Sequence, residues 1–222
     1  MKYGESVFDI VYLLFAVIAG IIILCLRRDK IGKLMGSAVL ILGCGDAFHL
    51  VPRVLNYFID ADFTALLGIG KLITSLTMTV FYLLMYFLWK NAYANNQNKR
   101  LDAAVYALFA IRVILCLMPQ NGWITNESGT VWGIVRNVPF VVLGFIIVYL
   151  FYKSRKEIRM FGGIWLLTAL SFLFYIPVAA AAGLVPALGM LMLPKTVCYM
   201  ILIWIFLNYS LNEEENKNVN SL

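Results

Sequence analysis

Residues 7–26 read VFDIVYLLFAVIAGIIILCL, and the bases Arg27, Arg28, Lys30 and Lys33 crowd the positions that follow. An apolar run of about 20 residues with one acid, Asp9, is long enough to cross a bilayer as a helix. The run is too long for the apolar region of a cleavable leader, and no small-residue cleavage pattern follows it, so it reads as a first span. Six further apolar segments lie at about 34–56, 64–89, 101–118, 131–152, 160–183 and 187–209. Helices satisfy their own backbone groups in lipid, and strand-like alternation is absent, so the segments read as helices and a barrel is rejected. Composition agrees: 62% of the 222 residues are hydrophobic and 14% are charged. A soluble domain is about half apolar and a quarter charged. These figures exclude a soluble globular domain, a disordered chain and a nucleic-acid binder. The expected fold is an all-α integral membrane domain of seven helices over residues 1–211. A polar tail, 212–222, is expected to lack structure.

The bases set an expected orientation. Arg27, Arg28, Lys30 and Lys33 follow the first span, Lys90, Lys99 and Arg100 the third, and Lys153, Arg155, Lys156 and Arg159 the fifth. The opposite loops hold Asp60, Asp62 and Glu127. The positive-inside rule then places the amino terminus outside and the carboxyl terminus in the cytoplasm, with a bacterial plasma membrane as the expected location. Asn126-Glu127-Ser128 is a glycosylation sequon on the outer side, meaningful only in a secretory membrane. Cys25, Cys44, Cys116 and Cys198 all fall in apolar stretches without a Cys-x-x-Cys pair, so they read as small buried residues.

Shifting residues 7–89 by 125 positions brings Arg28 onto Lys153, Lys30 onto Arg155, Met35 onto Met160 and Pro52 onto Pro177. With one outer-loop residue removed, Lys71 meets Lys195, Thr74 meets Cys198 and Ser75 meets Tyr199. The expectation is two parallel three-helix repeats, about 7–89 and 131–209, joined by a linker helix at about 101–118. This 3+1+3 plan, with its outside amino terminus, resembles the transporter–opsin superfamily: SWEET sugar transporters, PQ-loop transporters, KDEL receptors and microbial rhodopsins. The resemblance covers nearly the whole chain at the level of topology. In SWEETs a matched polar pair sits at mid-membrane on the third and seventh helices, and Lys71 and Lys195 look similar in placement. No Pro-Gln pair stands in the first or fifth span, the one such pair being Pro119-Gln120 in an outer loop, so the resemblance implies the fold and not sugar as substrate.

Charges inside a bilayer face the bundle interior, pair, or snorkel to an interface. Lys71 and Lys195 lie roughly 10–15 Å below the outer surface at 1.5 Å per helical residue. Arg53, Arg112 and Arg136 lie shallower. Pro52, Pro139, Pro177 and Pro194 all fall in the outer half, where kinks and freed carbonyls would open the bundle. The expectation is a wet, electropositive, outward-facing cavity in which Lys71 and Lys195 clamp an anion, with Arg112, Arg136 and Arg53 assisting and Tyr199 and Ser75 completing the site. Pairing of the three arginines with outer acids is the competing reading. Asp46, His49 and Arg53 share one face of the second span, and Asp46 with His49 could carry a proton; a satisfied polar pair locking that helix is the alternative. Thr74, Ser75, Thr77 and Thr79 could add hydrogen bonds, although such hydroxyls more often bond their own backbone. Trp123, Trp132 and Tyr57 suit an outer aromatic belt, and Trp89 and Trp204 deeper packing.

Four functions fit. A proton-linked transporter or carrier of a small anionic solute leads. A receptor or sensor that binds an anionic ligand without moving it is the alternative. A lipid-modifying enzyme is open, but a single histidine builds neither the usual metal site nor, from one helix face, a triad. A retinal protein would need a carboxylate near the span-seven lysine, and only Asp46 offers one. The expected partners are the bilayer and a small anionic solute or lipid headgroup; no metal or cofactor is expected, and a homo-oligomer is open.

Overall fold

The described residues form seven α-helices in the computed structural model: α1 (Lys2–Leu26), α2 (Lys30–Phe58), α3 (Thr64–Ala92), α4 (Lys99–Leu117), α5 (Thr130–Lys153), α6 (Ile164–Ala181) and α7 (Met192–Asn220). The structure describes residues 2–93, 98–127, 129–181 and 185–220, with the side chains of Pro186 and of 216–220 outside the description. Short 3₁₀ segments at Pro119–Asn121, Arg159–Gly163 and Pro186–Leu191 precede α5, α6 and α7.

The helix faces explain why the protein belongs in a membrane. On α1, Val7, Val11, Leu14, Ile18 and Ile21 form an exposed stripe, while Tyr12, Ala16, Ala19 and Ile23 are buried. Both faces are apolar, the pattern of a helix with lipid on one side and protein on the other. Phe145 and Tyr149 on α5 and Val197, Ile201 and Trp204 on α7 repeat it. Six of the seven helices are long and apolar enough to cross a membrane. The protein is therefore a multi-pass membrane protein. The fourth helix does not meet that test, because Lys99, Arg100 and Asp102 open it and Arg112 lies within it. Its 19 residues still reach about 28 Å at 1.5 Å each. It also links the end of α3 to the start of α5, and the starts of α3 and α5 line one cavity, so α4 runs the length of the bundle.

Neighbouring helices close a ring: α1 packs on α2 and α7, α3 on α2, α4 and α5, and α6 on α5 and α7. Asp29 caps α2, accepting from the Gly32 amide at 3.4 Å, and the Arg27 guanidinium on its carboxylate holds it below the usual carboxylate range.

Three expectations need correction. The tail from residue 212 continues α7 as helix through Asn220, since its glutamates favour helix even beyond the apolar segment. Pro194 lies in the first turn of α7, where its missing amide has no helical partner to lose, so it makes no kink. Cys25, Cys44 and Trp204 face outward rather than into the core, although Cys116, Cys198 and Trp89 are buried as expected.

The tightest seam is α2 against α3. Pro52 has no amide to offer the Phe48 carbonyl four residues earlier, and α2 runs on through it. The Gly70 backbone of α3 lies against that same carbonyl, and a side chain at 70 would strike it. One seam position away, the Thr74 hydroxyl donates to the Gly45 carbonyl at 3.0 Å. Gly70→Ala is expected to destabilise the bundle by roughly 1–3 kcal/mol, the usual cost of overpacking. Thermal unfolding in detergent checks this, with Gly4→Ala, which meets nothing within 4 Å, expected to unfold like the parent.

Candidate functional site

A cavity of about 640 Å³ opens at the end of the bundle where α3, α5 and α7 begin. Lys71 of α3, Arg112 of α4, Arg136 of α5 and Lys195 of α7 all line it, with Glu127 as its one acid among the described residues. Thus Lys71 and Lys195 share a cavity, and the helices bring Arg112 and Arg136 to the same space. Met78, Phe140, Tyr175, Val178 and Met192 give the cavity an apolar wall.

None of the four cations has a carboxylate oxygen within 4.0 Å among the described residues. Neutral groups hold them instead. Lys71 Nζ donates to Asn126 Oδ1 at 2.7 Å, and Arg136 donates to Asn121 Oδ1 at 2.9 Å. The Arg136 guanidinium stacks 4.4 Å from the Trp123 ring centre. Lys195 Nζ lies 4.8 Å from the centre of Tyr175 and 5.5 Å from that of Tyr199. Arg112 is only 2% exposed; one of its nitrogens donates to the Arg136 carbonyl, its guanidinium lies 5.3 Å from the Phe140 ring, and its Nε has no partner. A buried guanidinium without a counter-ion is costly, and aromatic faces and carbonyls offset only part of that cost.

The segment between α4 and α5 makes this possible. Asn126 adopts a left-handed backbone with φ 58°, as does Gly122. The Trp123 carbonyl and Asn126 backbone sit directly over Gly68 of α3, in space that any side chain at 68 would fill. The segment thereby delivers one amide oxygen to Lys71 and another to Arg136. Of the sequon that begins at Asn126, Ser128 lies outside the described residues.

Arg53 does not join the larger cavity. Its guanidinium reaches Asp9 at 2.6 Å and Glu5 at 3.3 Å, the acid pairing that was the competing reading for the arginines. These groups line a second cavity of about 470 Å³ with Asp46. His49, Thr74, Met192 and Lys195 line both cavities and form the wall between them. Asp46 and His49 do not form a mutual hydrogen bond. Asp46 accepts from the Tyr12 hydroxyl at 2.7 Å, and His49 Nδ1 is buried without a partner.

Tyr199 lines neither cavity. It lies beneath Lys195, its hydroxyl 3.1 Å from that of Tyr82, whose own hydroxyl is 3.5 Å from Ser171. Tyr82 packs edge-on against Phe140 at 5.2 Å, and Phe172 lies 5.2 Å from it, so an aromatic layer floors the larger cavity. Ser75 borders the cavity, but its hydroxyl donates to the Lys71 carbonyl at 2.7 Å. Thr77 and Thr79 likewise bond their own helix, while Thr74 alone reaches across to α2.

Sequence reasoning missed Asn121, Asn126, Asn137 and Tyr175. Asn137 donates to the Gly133 carbonyl and accepts from the Tyr175 hydroxyl, both at 2.7 Å. Its signal was present, an amide inside an apolar run beside Arg136; Asn121 and Asn126 carry none, because loop geometry alone aims them. Comparison with known proteins found no matching family model, no matching curated protein and no matching solved structure.

These two kinds of cation should respond differently to deletion. Arg53→Met leaves the Asp9 carboxylate, only 4% exposed, without its partner, and is expected to cost on the order of 3 kcal/mol. Lys71→Met removes a cation that has no acid to leave behind, and its melting temperature in detergent should match the parent's or exceed it.

Proposed function

We propose that the protein is a membrane carrier for a small organic anion, captured in the larger cavity. The single observation that carries this reading is the convergence of Lys71, Arg112, Arg136 and Lys195 on one space with one acid, Glu127, among the described residues. Preorganised donors with no carboxylate within 4.0 Å among the described residues gain a partner when an anion arrives, and Asn121 and Asn126 are neutral, so they yield it readily. The apolar wall of Phe140, Tyr175, Met78 and Val178 favours an anion with a carbon body over a bare inorganic ion.

In this proposal Arg112 and Arg136 take the anionic group, because a planar guanidinium pairs with two oxygens at once. Lys71 and Lys195 close on it from α3 and α7. The pairing of those two helices in the sequence match, and the ring in which α1–α7 and α3–α5 contacts correspond, support two related blocks rocking about the site. The aromatic layer of Tyr82, Phe140, Phe172 and Tyr199 is the barrier such a motion must open. Proton linkage rests on Asp46: when Lys195 turns to the anion, Asp46 loses the one lysine or arginine of the smaller cavity not already paired with carboxylates among the described residues, and a proton compensates it. His49, on the dividing wall with a free nitrogen, is the group placed to relay that proton. The proposed orientation puts the cavity on the outer side.

The reading is tested by titrating small carboxylates and organic phosphates into the protein in nanodiscs and following thermal unfolding. Binding anions should raise the melting temperature. Lys71→Met and Lys195→Met should each weaken binding roughly 10–100-fold, the loss of one charge-assisted hydrogen bond of about 1.5–3 kcal/mol. Stabilisation unchanged in both variants contradicts the site. Proteoliposomes then separate the two functions: flux of the bound anion, quickened by a proton gradient, supports the carrier, and binding without flux supports a receptor.

A further inference from the structure

We infer that the ligand is a zwitterion, with a phosphate or carboxylate in the larger cavity and an ammonium group beside Asp46 in the smaller one. This deepens the anion reading above and rests on it; with such a ligand the ammonium takes the place at Asp46 that a proton takes when the anion carries no amine.

The two cavities have opposite electrical character and a common wall. The larger is lined by Lys71, Arg112, Arg136 and Lys195 against Glu127, and the smaller by Glu5, Asp9 and Asp46 against Arg53 and Lys195. Arg53 is already engaged by both Glu5 and Asp9, at 3.3 and 2.6 Å. Lys195, which lines both cavities, is therefore the only lysine or arginine left for Asp46 among the described residues lining the smaller cavity, and it is also one of the four that an anion would recruit. Asp46 holds a single donor, Tyr12 at 2.7 Å, and a carboxylate has room for several more.

The demand for an anion is set independently of these acids. Arg112 is nine-tenths buried and more, has an unpartnered Nε, and borders the larger cavity with no carboxylate within reach among the described residues. Once a ligand's anionic group engages the arginines and draws Lys195 toward it, Asp46 is stranded in a space of about 470 Å³. A proton relieves that at the cost of a hydrogen bond. An ammonium group on the same ligand relieves it with charge, and an aminomethyl arm needs little of the volume. His49 and Thr74, on the shared wall, offer neutral hydrogen-bonding groups along the path between the two poles.

The shared chemistry is an ammonium a few bonds from a phosphate or carboxylate, found both in free amino-phosphates or amino acids and in aminophospholipid headgroups. The experiment uses the full chain in nanodiscs free of aminolipids and compares matched pairs. O-phosphoethanolamine is titrated against ethyl phosphate, aspartate against succinate, and lysophosphatidylethanolamine against lysophosphatidylethanol. The amine-bearing member of a pair is expected to bind at least 10-fold more tightly. Asp46→Asn should remove that advantage and bind ethyl phosphate at least as tightly as the parent, because no carboxylate is then stranded, whereas Lys71→Met should weaken both members of a pair. Tight binding of the free compounds assigns a soluble ligand, and a preference found only with the lyso-lipids assigns a headgroup. Equal binding within every pair overturns the zwitterion but leaves the anion site standing. Binding by no member of any pair overturns both. The comparison within pairs uses the unaltered protein, so the inference stays testable if Asp46→Asn does not fold.

Discussion

A base taken out of water needs an opposite charge or a dense set of dipoles, and at the larger cavity the described residues put dipoles, not carboxylates, within 4.0 Å of the bases. Lys71, Arg112, Arg136 and Lys195 are held by two asparagine oxygens, one main-chain carbonyl and the faces of Trp123, Phe140, Tyr175 and Tyr199. Each of these is a weaker partner than a carboxylate in the same place. The rest of the site follows from that imbalance. Electrostatic demand accumulates in one cavity, and the proposed function satisfies it from outside the protein.

The same bundle shows what a base with a satisfied structural role looks like. Arg53 sits between Glu5 and Asp9 and ties α2 to α1; Lys90 meets both carboxylate oxygens of Asp102 at 2.7 Å and ties α3 to α4. Acids were within the chain's reach, so the absence of one beside the four cavity bases among the described residues is a feature of this end of the bundle. Packing keeps it so. Gly68 admits the segment that carries Asn126, and Gly70 admits the Phe48 carbonyl released by Pro52. Small residues thus set the distance between α2, α3 and the loop above them, and that distance sets which groups the lysine of α3 can touch.

Helix number and the convergence of bases were legible in the sequence because both follow from apolar run length and from the cost of charge in lipid. Lys71 and Lys195 were singled out by their depth and by the sequence match that pairs them, and both line one cavity. Partner choice was not legible. Asp46 stands three residues from His49 on one helix, which suggested a pair, yet the hydroxyl of Tyr12 on α1 takes the carboxylate. Arg53 stands near Arg112 and Arg136 in depth but faces the acids of α1 instead. Helix rotation decides both cases, and periodicity reports rotation poorly where nearly every residue is apolar. The asparagines of the segment before α5 were invisible for a different reason: a left-handed residue and a 3₁₀ segment aim them, and neither has a strong local signature. The helical extension of α7 was hidden because polarity was read as disorder, while helix propensity runs independently of it.

The cavity bases, with no carboxylate within 4.0 Å among the described residues, should take a counter-ion from a ligand. Selenate, a small tetrahedral anion visible by anomalous diffraction, measures this most directly. At saturating selenate, anomalous density is expected within hydrogen-bonding distance of Arg136 and Lys71, with Asn126 displaced from the Lys71 ammonium. Density confined to the basic loops at the opposite end, with the cavity empty and the Lys71–Asn126 hydrogen bond intact, would contradict it.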